Sequence, residues 1–242
     1  MVLLQEVWSR QDYEFLKTTL NYSTSFNEMN PACYEEFSVL TPIGCSGLAL
    51  LSRYPLEDIS FLPYDTRGNF WSFDGEYFVH KGIGRARIRL ADGIKIDLFT
   101  THLAHLDESV RLEQTSEIAH FLDRLDQNGE PADVKIFAGD VNSMPHGRPY
   151  NILTSLMKDS LMDRYPEIIS KDSVFATYNN RHNTYADGNP ERIDYLMYWA
   201  GPHVALVTSQ YTMPILRTIN SKGRAVSLSD HEALSVEFII EK

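Results

Sequence analysis

The sequence predicts an α/β (α+β) fold in which two packed, mainly antiparallel sheets are flanked by helices. Three observations lead to this prediction. Short β-type runs dominate the 242 residues, and a few helical segments are interspersed among them rather than alternating with them. A hairpin signal, Asp92-Gly93, joins two runs in which apolar residues alternate. No internal repeat or linker interrupts the chain, so we expect residues 1–242 to form one domain.

The first elements follow from the opening residues. The apolar run VLLQEVW is typical of a short strand, and it delivers Glu6 near its end. In the next segment, SRQDYEFLKTTL, Ser9 with Asp12 three residues later resembles a capping box that begins a helix. The run SGLALLSR then predicts a second strand.

The hairpin around Asp92-Gly93 shows a period of two. Apolar side chains alternate with arginines before the turn and continue on the partner strand after it. They are Ala86, Ile88, Leu90, Ile94, Ile96 and Leu98. This alternation is typical of an antiparallel sheet, so we expect one face to be buried and the other to face water.

The second half of the chain begins with a predicted helix over residues 107–126, with Gly129 just past its expected end. Apolar side chains recur there at helical spacing. They are Val110, Ile118, Phe121, Leu122 and Leu125. Three further strands are predicted for the runs VKIFAGDVN, RIDYLMYW and ALSVEFII.

The formal net charge of −11 restricts the partners of the protein. A tight nucleic-acid binder usually presents a basic face, so we expect no such partner, and nucleic acid remains open only as a substrate. The same acidic excess suits a group of carboxylates that holds a divalent cation.

The cellular compartment is indicated by the lack of a membrane-spanning run and of a secretory signal in the sequence. No stretch approaches about 18 consecutive apolar residues, and no basic region precedes the first apolar run. Two cysteines, Cys33 and Cys45, are more typical of reduced thiols in an intracellular protein, although a disulfide between them stays open. We therefore expect an intracellular protein without a membrane span in this chain.

Polar groups stand repeatedly where apolar strands end. Each of them alone is most often a loop residue, a helix cap or a hydrogen-bonded filler. Their repetition predicts that they gather at one edge of the sheet sandwich. Those at strand ends are Glu6, His102, Asp140, Asn142, Asp230 and His231, and Asp194 lies inside the run RIDYLMY.

Such a gathering favours phosphate-ester chemistry. Carboxylate and amide oxygens are suitable ligands for Mg²⁺, which binds through one or two carboxylates plus substrate phosphate. No cysteine lies in the set, so a structural zinc site is not expected. Histidine titrates near neutrality and can move a proton, and Mg²⁺ can offset charge that develops on a phosphoryl group. We therefore predict hydrolysis by an activated water.

The runs LLQEVW, THL, GDVN, RIDY and SDHEAL occur in this order and together resemble the endonuclease/exonuclease/phosphatase superfamily. Within it, LQEVWSRQDYEFL and SGLALLSRYPL look most like the neutral sphingomyelinases, which are Mg²⁺-dependent phospholipases of type C. The resemblance extends from Met1 to about Ile240. It implies a four-layer αββα sandwich and cleavage of sphingomyelin to ceramide and phosphocholine.

The resemblance also implies roles for single residues, position by position. Glu6 binds the catalytic Mg²⁺, and Asp230 lies close to the metal. The pair Asp140 and Asn142 orients the attacking water and a phosphate oxygen. His231 acts as general base, and Asp194 holds it in place. His102 stabilises the phosphoryl group or assists the leaving alkoxide.

The sequence departs from the family pattern at its beginning. Family members have a first strand and helix before the strand that ends in QE, whereas Glu6 stands almost at the beginning of this sequence. We therefore expect a domain that lacks its first strand and helix, through either an incomplete start or a naturally shortened protein.

Weaker signals concern phosphate and lipid. Lys81 among glycines and Arg111 near the start of the predicted helix are candidate phosphate-binding residues, with a strand-edge lysine and a solvated helix face as the alternatives. The run RGNFWSFDGEYFVH concentrates aromatic residues around turn residues. Its rings either pack inward in a hairpin or face lipid, where Trp and Tyr favour the interface.

The sequence thus predicts a phospholipase of type C that acts on sphingomyelin, or on a related phosphocholine lipid, at the cytoplasmic face of a membrane. Two alternatives stay open. One is another phosphoesterase of the superfamily, such as a nuclease or an inositol polyphosphate phosphatase. The other is a shortened, non-catalytic member that binds lipid or a partner. Superfamily resemblance indicates the reaction type better than the substrate.

Overall fold

The computed structural model describes residues 1–19, 25–28, 45–72, 76–128, 131–168, 173–181 and 183–241. Within these ranges the chain forms thirteen strands and four helices. The strands are β1 (Val2–Leu4), β2 (Ser25–Glu28), β3 (Ala49–Ser52), β4 (Glu57–Pro63), β5 (Gly82–Arg89), β6 (Lys95–His102), β7 (Val134–Asp140), β8 (Lys158–Asp159), β9 (Asp194–Ala200), β10 (Ala205–Thr212), β11 (Arg217–Ile219), β12 (Ala225–Ser227) and β13 (Ser235–Glu241). The helices are α1 (Arg10–Thr19), α2 (Glu108–Asn128), α3 (Arg148–Leu156) and α4 (Ser160–Arg164).

The larger sheet has six strands in the order β4-β5-β6-β7-β9-β8. Its strands pair antiparallel except for β6 and β7, which run parallel because the connection through α2 crosses back over the sheet. The carboxyl ends of β6 and β7 therefore lie beside the amino end of β9. In this row His102 pairs with Asp140, and Asp140 pairs with Asp194.

Two smaller antiparallel sheets, β1-β3-β2 and β10-β13, contribute to the same core as one face of the larger sheet. Apolar side chains from both layers meet in this core, and each fully buried one contributes about 1.5–3 kcal/mol. Its members include Leu48, Leu50, Ala86, Ile88, Ile96, Leu98, Val134, Ile136, Tyr198 and Leu206. The inner core of the sandwich therefore joins strands from both ends of the chain.

The opposite face of the six-stranded sheet packs against helices. Apolar residues of α2 and α3 meet the sheet in a second core, with Ile118 and Leu153 fully buried. Helix α1 buries none of its residues. The predicted mixed α/β fold, in which packed sheets are flanked by helices, is confirmed.

Several local predictions are confirmed in detail. Ser9 Oγ accepts a hydrogen bond from the Asp12 amide at 3.0 Å and donates one to its carboxylate at 2.6 Å, so this pair caps α1. The predicted hairpin is β5 with β6, and Gly93 adopts the positive φ of 86° that its turn requires. The strand runs that end in Asp140 and begin at Asp194 are β7 and β9.

One prediction for the hairpin is wrong. The centre of the arginine face of β5 does not face water, because Arg87 is 3% exposed and Asp97 on β6 is 2% exposed, whereas Arg89 at the end of the strand is exposed. The Asp97 carboxylate accepts hydrogen bonds from Arg87 Nε at 2.6 Å and Arg87 Nη2 at 3.1 Å, and Arg85 Nε donates to it at 3.0 Å. A carboxylate bonded in this way compensates the desolvation of its partners, so the arginines can be buried.

Some expectations fall partly or wholly outside the described part of the chain. Cys33, Phe73 and Gly129 lie there. Cys45 is buried and takes part in a disulfide, which contradicts the favoured expectation of two reduced thiols. Among the described residues, no helix has the length and apolar character needed to cross a membrane.

Candidate active site

Three of the predicted site residues are aligned by strand register. His102 ends β6, Asp140 ends β7 and Asp194 begins β9, and these strands are neighbours in the six-stranded sheet. Backbone pairing places the three residues in one row. The predicted gathering at one edge of the sheet is therefore present for these three residues.

His231 joins the row from the segment that precedes β13. Its Nδ1 donates a hydrogen bond to Asp194 Oδ2 at 2.7 Å. Its ring packs edge-to-face against Tyr178 with 5.5 Å between ring centroids, and the backbones of these two residues form an isolated β-bridge. The imidazole orientation is thus determined by one carboxylate and one aromatic ring.

Asp140, Asp194 and His231 form a compact group in which one ligand atom from each lies within 4.8 Å of the others. Burial, with the charge of Asp194, raises the pKa of Asp140 from 3.8 to about 8. Burial lowers the pKa of His231, but the hydrogen bond and charge of Asp194 outweigh it and raise the value to about 9. A buried carboxylate that favours its protonated form is a place where a cation can replace the proton.

The donor set of this group fits a hard divalent cation. Two carboxylates converge on one point, and Mg²⁺ commonly binds through one or two protein carboxylates plus substrate oxygens. Structural zinc sites usually contain cysteine ligands, and no cysteine belongs to this group. Asp140, Asp194 and His231 therefore constitute a possible acidic metal site.

His102 lies behind this group and is buried. Its Nε2 is 3.5 Å from Asp140 Oδ2, and its Nδ1 has no hydrogen-bond partner within the described ranges. Burial lowers its pKa well below 6.5, and the charges of Lys81, His231 and His105 lower it further. This imidazole is therefore neutral at physiological pH.

Glu6 approaches His102 from the other side, with 3.9 Å between its Oε1 and His102 Nδ1. Its side chain is more than half exposed, and its φ of 61° is left-handed. Such a conformation costs about 1–3 kcal/mol and persists only where surrounding contacts impose it. Gln5 Nε2 donates to Thr100 Oγ1 at 3.1 Å, and the Val7 amide donates to the Gly47 carbonyl at 2.9 Å. Contacts on both sides thus hold Glu6 at the edge of the site.

Asn142 faces the segment that follows His102. Its Nδ2 donates to the Leu103 carbonyl at 3.0 Å, its Oδ1 is 3.1 Å from His105 Nδ1, and its backbone amide donates to Asp140 Oδ1 at 2.8 Å. Its φ of 50° is left-handed, which asparagine tolerates better than most residues. Asn142 therefore links Asp140 to the backbone of the segment 103–105.

Both predicted phosphate-binding cations also contact that segment. Lys81 is buried, and its Nζ donates to the Leu103 carbonyl at 2.7 Å and pairs with Glu76 at 2.9 Å. Half-buried Arg111 donates through Nη1 to the carbonyl of Ala104 at 3.1 Å and to the carbonyl of His105. Arg111 is therefore neither on a solvated helix face nor directed away from the protein.

Asp230 is a predicted site residue that does not join the group. It is exposed, it accepts a hydrogen bond from Ser229 Oγ at 3.3 Å, and it is not a member of the three-residue cluster. Its charge contributes to the raised pKa of His231. The structure thus brings together Asp140, Asp194 and His231, with Glu6 and Asp230 at the margin.

Sequence reasoning missed the residues that hold His231 and Asp194 in place. Thr177 Oγ1 accepts hydrogen bonds from the amides of Ile193 and Asp194, each at 3.1 Å. Asn183 Nδ2 donates to the Ser229 carbonyl at 2.8 Å. The run FATYNN around Thr177 has no apolar period, so the sequence held only a weak signal, namely several hydrogen-bonding residues in succession.

A sequence profile described as the Endonuclease/Exonuclease/phosphatase family matches residues 1–231. Among curated proteins, the inositol phosphosphingolipids phospholipase C of Schizosaccharomyces pombe is 31% identical over 179 residues, which are 69% of this chain and 39% of that protein. Sphingomyelin phosphodiesterase 2 of Rattus norvegicus is 27% identical over 258 residues, which are 100% of this chain and 57% of that protein. The chain thus spans 39% to 57% of the length of these two relatives.

A solved structure extends the comparison to the fold. A mutant beta toxin from Staphylococcus aureus with bound magnesium ions superposes with a TM-score of 0.66, covering 97% of this chain and 85% of that chain. The two sequences are 17% identical over the match. At this identity the likeness establishes the shared fold and leaves the chemistry to be argued from the site.

Proposed function

Because the chain belongs to the endonuclease/exonuclease/phosphatase family, we propose that it is a Mg²⁺-dependent phosphodiesterase that cleaves sphingomyelin to ceramide and phosphocholine. A related phosphocholine lipid, such as a lyso-phospholipid, would be cleaved at the corresponding bond. The observation that carries the proposal is the convergence of Asp140, Asp194 and His231 at the strand ends. The names of the two relatives support the choice of a phosphosphingolipid.

The residues that we propose to hold Mg²⁺ are Asp140 and Asp194, with Glu6 at the margin of the same site and Asp230 adding negative charge. The fit rests on the two converging carboxylates and on the raised pKa of Asp140, which indicates that the positive charges of His231 and Lys81 do not offset its burial and the charge of Asp194. When bound there, Mg²⁺ would polarise a phosphoryl oxygen and offset the charge that develops on the phosphate.

His231 is the proposed general base. Since its Nδ1 donates to Asp194, its Nε2 is the nitrogen that accepts the proton of the attacking water. The water oxygen then bonds to phosphorus while the bond between phosphorus and the ceramide oxygen breaks. A pKa of about 9 keeps nearly all of His231 protonated at neutral pH, and added positive charge beside Asp140 would lower that pKa.

His102 and Asn142 complete the proposed reaction. A neutral imidazole at His102 can donate a hydrogen bond to the phosphoryl group or to the leaving alkoxide without adding a charge to the site. Asn142, together with Asp140, would orient the water and one phosphate oxygen. The ceramide alkoxide takes a proton from solvent water as it leaves, and His231 releases the proton that it accepted to solvent, so the products are ceramide and phosphocholine.

Lys81 and Arg111 were expected to bind phosphate directly, and their contacts support an indirect contribution. Both donate hydrogen bonds to backbone carbonyls of the segment 103–105. That segment follows His102 and contacts Asn142 through Leu103 and His105. We propose that the two cations position this segment and add positive charge behind the phosphate.

The test is release of phosphocholine from sphingomyelin in mixed micelles at neutral pH. The full chain is assayed with Mg²⁺, with chelator, and as the His231→Ala variant. His120→Ala, an exposed histidine on α2, is the matched control. We expect activity that requires Mg²⁺, is abolished by His231→Ala and is unchanged by His120→Ala.

A parallel assay with an inositol phosphosphingolipid tests the preferred headgroup separately from the reaction mechanism. Equal sensitivity of both substrates to His231→Ala, with faster release of phosphocholine, supports the proposal. Cleavage of the inositol lipid alone would retain the mechanism and replace the substrate. A folded chain that cleaves neither lipid and whose melting temperature does not respond to Mg²⁺ would overturn the proposed function.

A further inference from the structure

Four aromatic residues form an exposed cluster at the segment that precedes β5. We call Phe70, Trp71, Tyr77 and Phe78 the aromatic patch. Their rings contact one another edge-to-face, with centroid distances of 5.2 Å for Phe70–Trp71 and Phe70–Tyr77 and 5.5 Å for Tyr77–Phe78. Their exposed fractions are nevertheless 43, 74, 38 and 39%. Of the two arrangements that the sequence left open, inward packing is therefore not the one adopted by these four rings.

The aromatic patch is connected to the candidate active site through Glu76. The Glu76 carboxylate pairs with Lys81 Nζ at 2.9 Å and accepts a hydrogen bond from the His105 amide at 3.1 Å. Glu76 is adjacent to Tyr77 in sequence, and His105 Nδ1 contacts Asn142. A surface that docks on the patch would thus lie beside the segment 103–105, at the margin of the site.

The charges around the patch favour a cationic or zwitterionic partner. Just before Phe70 in the sequence, Asp65 and Thr66 contact α2, where Glu113 and Glu117 accept hydrogen bonds from Thr66 Oγ1 and from the amides of Asp65 and Thr66. The whole chain carries a formal net charge of −11. An anionic surface would be repelled, whereas the quaternary ammonium of choline is attracted both to aromatic faces and to nearby carboxylates.

We propose that the aromatic patch docks the protein on a bilayer surface that carries phosphocholine headgroups. Trp and Tyr rings favour the interface between water and hydrocarbon, and exposed Trp71 is placed to enter it. The inference rests on the proposed function, since it identifies the surface from which the active site would take its lipid. Docking and hydrolysis are separable, because no residue of the patch belongs to the catalytic group.

The experiment measures co-sedimentation of the full chain with phosphatidylcholine vesicles and with phosphatidylglycerol vesicles. The variants are Trp71→Ser and the matched control Val207→Ser, an exposed apolar residue on β10. Because docking would transfer the exposed Trp71 ring out of water, binding to phosphatidylcholine should weaken roughly tenfold or more in Trp71→Ser and remain unchanged in Val207→Ser. Of the three tryptophans only Trp71 is exposed, so a blue shift of intrinsic fluorescence on vesicle binding reports its transfer.

A second readout distinguishes docking from chemistry, namely hydrolysis of the water-soluble ester p-nitrophenyl phosphorylcholine. Vesicle binding that depends on Trp71 supports the docking surface even if the chain hydrolyses neither ester nor sphingomyelin, in which case the proposed function alone fails. Equal vesicle binding by the wild-type chain and Trp71→Ser, or tighter binding to phosphatidylglycerol, overturns the docking surface whatever the hydrolytic activity.

Discussion

The two sides of the candidate active site are built in different ways. On the strand side, Asp140 and Asp194 are placed by backbone register between neighbouring strands, and His231 is attached to them by one short hydrogen bond. On the loop side, the segment 103–105 is held by side chains that donate to its carbonyls, from Lys81, Arg111 and Asn142.

This difference separates the residues that we expect to take part in the reaction from the residues that hold the site in place. Strand register is maintained by many backbone hydrogen bonds, so a single side chain on the strand side can be changed without moving its neighbours. Removing a side chain that donates to one of these carbonyls takes away a hydrogen bond that holds the segment in place. We therefore expect substitutions on the strand side to affect the rate, and substitutions on the loop side to affect stability first.

Asp194→Asn should have the largest effect, and it tests the strand side. The variant keeps the shape of the side chain but removes the charge that orients His231, so kcat should fall roughly 10²–10⁴-fold while the melting temperature stays close to that of the wild type. The pKa of His231, measured by NMR titration without metal, should fall from about 9. Asp123→Asn, exposed on α2, is the matched control. Unfolding of Asp194→Asn at ambient temperature would remove the distinction between the two sides.

Lys81→Met tests the loop side. It removes the cation from the Glu76 carboxylate and the donor from the Leu103 carbonyl, both in buried surroundings. The free energy of unfolding, measured with urea, should fall by about 3 kcal/mol. The double variant Lys81→Met/Glu76→Leu should recover part of that loss, because no unpaired carboxylate remains. Unchanged stability with a strongly raised KM would instead show that Lys81 contacts the phosphate directly.

The same contrast explains how much could be predicted from the sequence. Strand runs that end in polar residues are local patterns, and from them the sequence predicts the strands that carry His102, Asp140 and Asp194. The contacts of Lys81 and Arg111 join residues separated by a turn or a helix start, and no local pattern specifies which carbonyl a long side chain will reach. The buried Arg87–Asp97 pair was missed for a related reason, because alternation cannot distinguish an exposed polar face from a paired, buried one.

The stability of the metal-free protein should depend on pH, and this dependence tests the ionisation of the residues on the strand side. The folded pKa values of Asp140 and His231, about 8 and about 9, lie above their ordinary values of 3.8 and 6.5. Folding therefore favours their protonated forms, and the stability that these protons contribute is lost as pH rises, from 3.8 to about 8 for Asp140 and from 6.5 to about 9 for His231. His102 has a lowered pKa, so above its ordinary value of 6.5 it is neutral in both states and contributes no change.

Mg²⁺ should restore stability in that same pH range. Because a cation competes with the protons of its ligands, the rise in melting temperature caused by Mg²⁺ relative to chelator should be larger at pH 9 than at pH 6.5. Asp140→Asn removes one competing proton site and one ligand, so its response to Mg²⁺ should be small at both pH values. An equal response at both values in the wild-type chain would argue against this group as the metal site.

Arg111→Lys should have the smallest effect, and it asks whether the loop side depends on hydrogen-bond geometry or on charge alone. The guanidinium donates to two successive carbonyls, those of Ala104 and His105, and an ammonium on a shorter stem does not reproduce that planar fork. The free energy of unfolding should fall by about 1 kcal/mol, with kcat unchanged, because the charge is retained and one net hydrogen bond is lost. Arg124→Lys, an exposed position on the same helix, should change neither quantity. If Arg111→Lys instead lowered kcat as strongly as Asp194→Asn, the segment 103–105 would have to be counted with the catalytic group, and the two sides of the site would no longer differ in kind.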